Sequence, residues 1–136
     1  MTETETDTTV TGPAVTVTDF DHLVLHCRDI ETTLAWYHDN LGLAPVRAEE
    51  WRSGTVFFPS LRVNAHTIID LLPGDTPDGR LDHICLVVEP LDLEALAASG
   101  RFDVLDGPDQ RYGARGDGTS LYVRDPDGLT VELRYY

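Results

Sequence analysis

Phe20-Asp21-His22-Leu23-Val24-Leu25 decides the reading of this chain, because it occurs twice. It returns as Leu81-Asp82-His83-Ile84-Cys85-Leu86, offset by 83 − 22 = 61 residues. Each copy runs apolar, Asp, His, apolar, any residue, Leu. A second echo follows at nearly the same offset. Ile68-Ile69-Asp70-Leu71 is matched by Thr130-Val131-Glu132-Leu133, with 132 − 70 = 62. Repeats at a fixed spacing signal one structural unit used more than once. Two such units facing each other bring two histidines and two carboxylates around a pseudo-twofold axis.

Working outward, both halves follow one plan. Thr16–Arg28 is rich in β-formers and reads as the first strand. Asp29 is placed to cap a helix, with Glu31 in its first turn, where the dipole favours negative charge. Ile30, Leu34, Tyr37 and Leu41 recur at helical spacing as its buried stripe, and Gly42 is the stop signal. Residues 43–48, 54–59 and 65–72 read as three further strands. Pro73-Gly74-Asp75 and Pro77-Asp78-Gly79 mark the link between halves. In the second half, 81–88 is a strand. Pro90 opens a helix carrying Leu91, Leu93, Leu96 and Ala97, which ends at Gly100. Residues 102–105 form a short strand, and the glycine-bearing stretch 107–118 reads as loop with room for another short strand. Strands 120–124 and 129–135 are joined by a turn at Asp125-Pro126-Asp127-Gly128. Each half is therefore β-α-β-β-β. The expected organisation is an acidic, disordered tail at 1–15 and one domain at 16–136, with modules at about 19–72 and 81–136.

Composition narrows the functional classes. The chain has 136 residues, enough for one domain with a real core. Its formal charge of −14 argues against partners such as nucleic acid or an anionic membrane. It contains no apolar run long enough to span a bilayer and no secretory leader pattern. The two cysteines, Cys27 and Cys85, lie within expected strands and fit a reducing, cytoplasmic setting.

Three passages resemble the vicinal oxygen chelate superfamily, which includes glyoxalase I, methylmalonyl-CoA epimerase, fosfomycin-modifying enzymes, extradiol dioxygenases and bleomycin-binding proteins. They are Asp21-His22-Leu23-Val24 with Trp36-Tyr37 and Leu41-Gly42-Leu43, then Asp82-His83-Ile84, then Ser120 to Gly128 with Glu132 after it. The resemblance covers about residues 19–136. It implies an α+β fold in which two βαβββ modules curl a mixed sheet into a cup around one divalent metal. His22, His83 and Glu132 are the implied ligands. Asp70 stands where some members carry a fourth ligand, normally Glu or Gln. The resemblance also implies a homodimer and a small-molecule substrate.

Strand alternation tests the ligand set independently, since successive side chains face opposite ways. His22, Val24 and His26 share one face, opposite Leu23, Leu25 and Cys27. His83, Cys85 and Val87 oppose Ile84, Leu86 and Val88. Thr130, Glu132 and Arg134 oppose Val131, Leu133 and Tyr135, and His66, Ile68 and Asp70 align likewise. Every implied ligand thus falls away from the helix-packing hydrophobics. Two imidazoles and one or two carboxylates suit Fe, Mn, Ni, Co or Zn. Glu132 and Asp70 are candidates to move a proton beside chelated oxygens, with His26, His66 and Tyr122 as further candidate catalytic groups. Arg124 and Arg134 share the faces of Tyr122 and Glu132, although arginines at strand ends are often solvent-exposed. His38 falls on the polar side of its helix.

Three functions compete. A metal-dependent lyase or isomerase of glyoxalase-like type ranks first. An Fe(II) extradiol dioxygenase acting on a catechol is second. The turn passage resembles it, but Arg115 stands where its acid/base histidine is expected. A non-enzymatic drug- or metabolite-binding protein is third, and a complete ligand set argues against it.

Overall fold

The computed structural model describes residues 12–75, 81–124, 126 and 128–136. The first module contains β1 (Val17–Cys27), α1 (Ile30–Leu41), β2 (Ala44–Val46), α2 (Ala48–Arg52), β3 (Ser60–Arg62) and β4 (Ile68–Pro73). The second contains β5 (Leu81–Val88), α3 (Leu93–Ala98), β6 (Asp103–Gly113), β7 (Gly116–Arg124) and β8 (Thr130–Tyr135). All eight strands join one sheet in the order β2-β3-β4-β1-β5-β8-β7-β6. β1 pairs in parallel with β4, and β5 with β8, while β1 and β5 meet antiparallel at the centre. The two repeated Asp-His strands therefore lie side by side on the pseudo-twofold axis. This is the expected α+β sheet of two βαβββ modules.

The helices close two apolar clusters, α1 and α2 over one and α3 over the other. Cys27, Ile30, Leu34, Leu61 and Leu71 form the first, and Val88, Leu93, Leu121, Val123 and Leu133 the second. The alternation is as expected: Cys27 and Leu133 lie on the helix side, while His22, Val24 and Glu132 line the opposite face. Asp29 caps α1 by accepting from the Thr32 N–H at 3.1 Å, and Gly42 ends it at φ 72°. Leu41 departs from its expected stripe and is 57 % exposed, being at the helix end beyond the sheet.

Several boundaries differ from the sequence reading. Residues 54–59 are not a strand. The preceding Ala-Glu-Glu-Trp-Arg segment makes the short helix α2, and Arg52 ties it to α1 through Glu31 at 2.7 and 2.8 Å. Asp92 rather than Pro90 starts α3, accepting from the Ala95 N–H at 3.0 Å. The stretch 107–118 is not loop but most of a long β6–β7 hairpin. Gly113 serves close approach, since a Cβ there would overlap the Arg134 guanidinium, and Gly116 supplies the turn with φ 94°. Of the segment expected to be disordered, residues 1–11 lie outside the described set, as do 76–80 of the linker and Asp125 and Asp127 of the turn. Val15 packs on the second cluster, so packed chain begins before Thr16.

Leu121 is fully buried in the central part of that cluster. Leu121→Ala is expected to lower unfolding free energy by about 2–5 kcal/mol, the usual cost of truncating a core leucine, in urea titration.

Candidate functional site

On the face opposite the helices, the sheet encloses a cavity of about 130 Å³. Its polar floor is built by four strands. His22 comes from β1, His83 from β5, Glu132 from β8 and Asp70 from β4. Glu132 Oε1 stands 3.1 Å from Nε2 of both histidines. Asp70 Oδ2 is 3.7 Å from His22 Nε2. The rings of His22 and His83 meet edge to face, with centroids 5.4 Å apart. Donor atoms bound at right angles to one ion at about 2.1 Å are about 3.0 Å apart, so these spacings fit a common metal. His22, His83 and Glu132 present suitable ligand atoms that all lie within 4.8 Å of one another.

What holds each ligand follows the pseudo-symmetry of the chain. Alternation alone would send Asp21 to the face opposite His22, and Asp82 opposite His83. The β1–β5 register prevents this. Phe20 pairs with Leu86 and His22 with Cys85, leaving Asp21 as an extra residue in β1. Val24 pairs with His83 and Leu25 with Leu81, leaving Asp82 as an extra residue in β5. These are matching β-bulges, which re-aim side chains near functional sites. Each brings its carboxylate back to its own histidine. His22 Nδ1 donates to Asp21 Oδ1 at 2.7 Å, and His83 Nδ1 donates to Asp82 Oδ2 at 2.7 Å. With Nδ1 committed, Nε2 of each ring is the atom turned to the cavity.

The two supports differ in depth. Asp21 is fully buried and also accepts from Tyr136 OH and the Ala114 N–H. Asp82 is more exposed, and its Oδ1 lies 2.7 Å from His26 Nε2. The carboxylates have a parallel arrangement. Ser60 Oγ donates to Asp70 at 2.5 Å and Ser120 Oγ to Glu132 at 2.7 Å. Each serine occupies one carboxylate oxygen and leaves the other facing the floor.

Arg134 lies on the Glu132 face, as alternation implies. It is fully buried, unlike many strand-end arginines, with its guanidinium 2.8 Å from Glu132 Oε2. Arg134 also donates to the Tyr112 carbonyl at 2.9 Å. Burial opposes ionisation of Glu132, but His22, His83 and Arg134 outweigh it and hold this carboxyl well below the usual range. Burial also opposes charging of His22, yet bonds with Asp21, Cys85 and Glu132 push its pKa up to about 12. His83 is raised as well: Glu132 and Asp82 overcome its desolvation. Asp70 goes the other way for a carboxylate, its pKa raised chiefly by burial.

Other candidates divide clearly. Tyr122 lines the cavity, edge-on to His83 at 5.7 Å between centroids. Cys85 lies buried beneath the ligands, and its thiol is pushed up to about 12 by that burial. His26 is not among the residues that line the cavity, and its Nε2 lies against Asp82. His66 does not reach it either. Strand β4 begins only at Ile68, and His66 sits in the preceding bend, 3.0 Å from Asp19. Arg124 is exposed beside Asp103, as expected.

This arrangement agrees with the comparisons. Residues 19–133 match the family model of the Glyoxalase/Bleomycin resistance protein/Dioxygenase superfamily. The chain belongs to this superfamily. It is 31 % identical over 120 residues to virulence protein STM3117 of Salmonella typhimurium, covering 85 % of this chain and 83 % of that protein. Among solved structures, methylmalonyl-CoA epimerase from Mycobacterium tuberculosis superposes with TM-score 0.66 at 21 % identity, covering 92 % of each chain. The Mn(II)-bound glyoxalase from Novosphingobium aromaticivorans gives 0.68 at 23 % identity, covering 89 % of this chain and 40 % of that one. These last two likenesses are of fold.

The buried Glu132–Arg134 pair makes a stability prediction. Arg134→Met leaves a buried charge short of its partner and is expected to cost about 3–5 kcal/mol in urea titration. Adding Glu132→Gln should return part of that loss, whereas Arg124→Ala at the surface should cost under about 1 kcal/mol.

Proposed function

We propose that this protein is a metal-dependent enzyme of glyoxalase-like type, a lyase or isomerase acting on a small substrate that chelates the ion through adjacent oxygens. The observation that carries the proposal is Glu132 Oε1, 3.1 Å from the Nε2 atoms of both His22 and His83 at the cavity floor. His22, His83 and Glu132 hold the ion, and Asp70 stands beside them. A divalent ion there supplies Lewis-acid stabilisation of negative charge on the chelated oxygens.

The chain's own groups divide the remaining work. Asp21 and Asp82 orient the imidazoles. Ser120 and Arg134 fix Glu132, and this firm hold makes it a poor proton acceptor. Asp70 has one oxygen on Ser60 and the other toward the cavity, so it is the group placed to take and return a proton. Val24, Leu72 and Phe58 limit water around it. The small cavity favours a substrate of few heavy atoms over a large drug. The dioxygenase reading lacks its acid/base histidine at Arg115, and neither His26 nor His66 lines the cavity in its place. Likeness in fold to an epimerase and to a Mn(II)-bound glyoxalase supports proton-transfer chemistry on a metal.

Two measurements test this. Titration with Mn²⁺ or Zn²⁺ should give about one bound ion per chain. Asp82→Asn should weaken binding about 10–100-fold, the usual effect of releasing a ligand histidine, and His22→Ala/His83→Ala should abolish it. Against their burial, Asp21 and Glu132 around His22, and Glu132 and Asp82 around His83, raise the proton affinity of both imidazoles above the ordinary value, so an ion must displace protons to bind there. Affinity should therefore rise with pH between about 6 and 8, by up to about tenfold per unit for each proton displaced. Full occupancy in the double variant ends the proposal. Asp70→Asn is the second test: it should retain the fold and lose turnover, and a variant that keeps full activity while consuming O₂ would favour the dioxygenase instead.

A further inference from the structure

The cavity wall above the ligands has an uneven chemistry. Val24, Leu72 and Phe58 are apolar. The remaining wall groups are Arg111, Tyr112 and Tyr122, whose side-chain tips bring a guanidinium and two phenol hydroxyls. Apart from the ligand carboxylates at the floor, this wall offers hydrogen-bond donors and a fixed positive charge, and no carboxylate or amide acceptor. In a chain of net charge −14 that is a selective placement. All ten lysine and arginine positions of the sequence are arginines, and among the described residues Arg111 is the one that lines the cavity.

Arg111 is held so that it is available. Its guanidinium carbon sits 5.9 Å from the centre of the Tyr122 ring, toward which the positive charge is attracted. Its carboxylate neighbours are Asp106 at 3.2 Å and Asp109 at 3.5 Å, and the side chains of both are 64 % exposed. Exposed pairs of this kind are weak and exchange readily with a better-placed anion. A carboxylate reaching Arg111 from inside the cavity meets a planar donor fork at lower dielectric, where a bidentate pair is stronger.

We infer that the substrate is a small carboxylic acid with two functional ends: adjacent oxygens that face the His22/His83/Glu132 floor, and a separate carboxylate received by Arg111, with a short apolar link along Val24 and Leu72. This rests on the metal-site reading above and adds the substrate class. Arg111 is thereby the residue that sets specificity for a second negative charge.

The test uses two hydroxyacids that offer the same chelating end. Lactate has only the hydroxyl-carboxylate chelate, and malate adds one carboxylate. Both are titrated into the full chain loaded with Mn²⁺, with binding read from water-proton relaxation. Wild type is expected to bind malate at least about tenfold tighter than lactate, the scale of one charged hydrogen-bonded contact. Arg111→Gln should erase that preference while leaving affinity for lactate and for Mn²⁺ unchanged. Arg111→Lys, which keeps the charge but not the fork, should restore part of it. Equal affinities in the wild type, or an undiminished preference in Arg111→Gln, overturn the inference while leaving the metal site intact. Protein that takes up no Mn²⁺ overturns the metal-site reading and this inference together.

Discussion

Glu132 is a carboxylate only 1 % exposed, and it stays ionised because cationic and donor groups surround it. Removing a charge from water costs several kcal/mol unless other groups replace the lost solvation. Here Arg134 and Ser120 meet one oxygen, while the other faces two imidazoles. That requirement reaches far into the fold. Arg134 needs space, and Gly113 provides it because any Cβ there would overlap the guanidinium. The guanidinium in turn ties β8 to the β6–β7 hairpin through the Tyr112 carbonyl.

The same floor explains the bulges at Asp21 and Asp82 in the central strand pair. A regular β1–β5 ladder would separate each histidine from its preceding aspartate. Inserting one extra residue in each strand gives up local ladder regularity and gains a carboxylate on each Nδ1. The pair is symmetric in geometry and unequal in environment. Asp21 is sealed by Tyr136 and Ala114, whereas Asp82 is reached by the partly exposed His26. The His22 arm is the rigid side of the site and the His83 arm the more accessible one.

Burial also separates the two carboxylates at the floor into different tasks. Glu132 is pinned by a full positive charge, so its negative charge is available to a metal and its proton affinity is low. Asp70 has only a serine donor and neighbouring imidazoles, and desolvation dominates its ionisation. Two acidic groups that entered the sequence as equivalents of one repeat thus acquire opposite tendencies from their neighbours. Such divergence is what the proposed pairing of a metal ligand with a proton acceptor requires.

Much of this was legible in the sequence, for a simple reason. Period-two alternation and a 61-residue repeat are local properties of the chain, and they fix which side chains share a face and which strands are related. That was sufficient for the βαβββ modules and for His22, His83, Glu132 and Asp70. The rest depended on tertiary structure. Alternation alone would turn Asp21 and Asp82 away from their histidines, since a bulge is a property of two strands in register and not of either alone. His66 failed because β4 begins two residues later than its pattern suggested. The glycines of 107–118 resembled a loop because the close approaches that Gly107, Gly113 and Gly118 allow, to Ser120, Arg134 and Tyr135, involve other strands. Alternation put Arg134 on the Glu132 face, but its burial depends on the β6–β7 hairpin, whose Tyr112 carbonyl accepts from the guanidinium. What the sequence determined by itself was periodic and local, and what only the fold decided was which charges would be buried together, since desolvation depends on every neighbour at once.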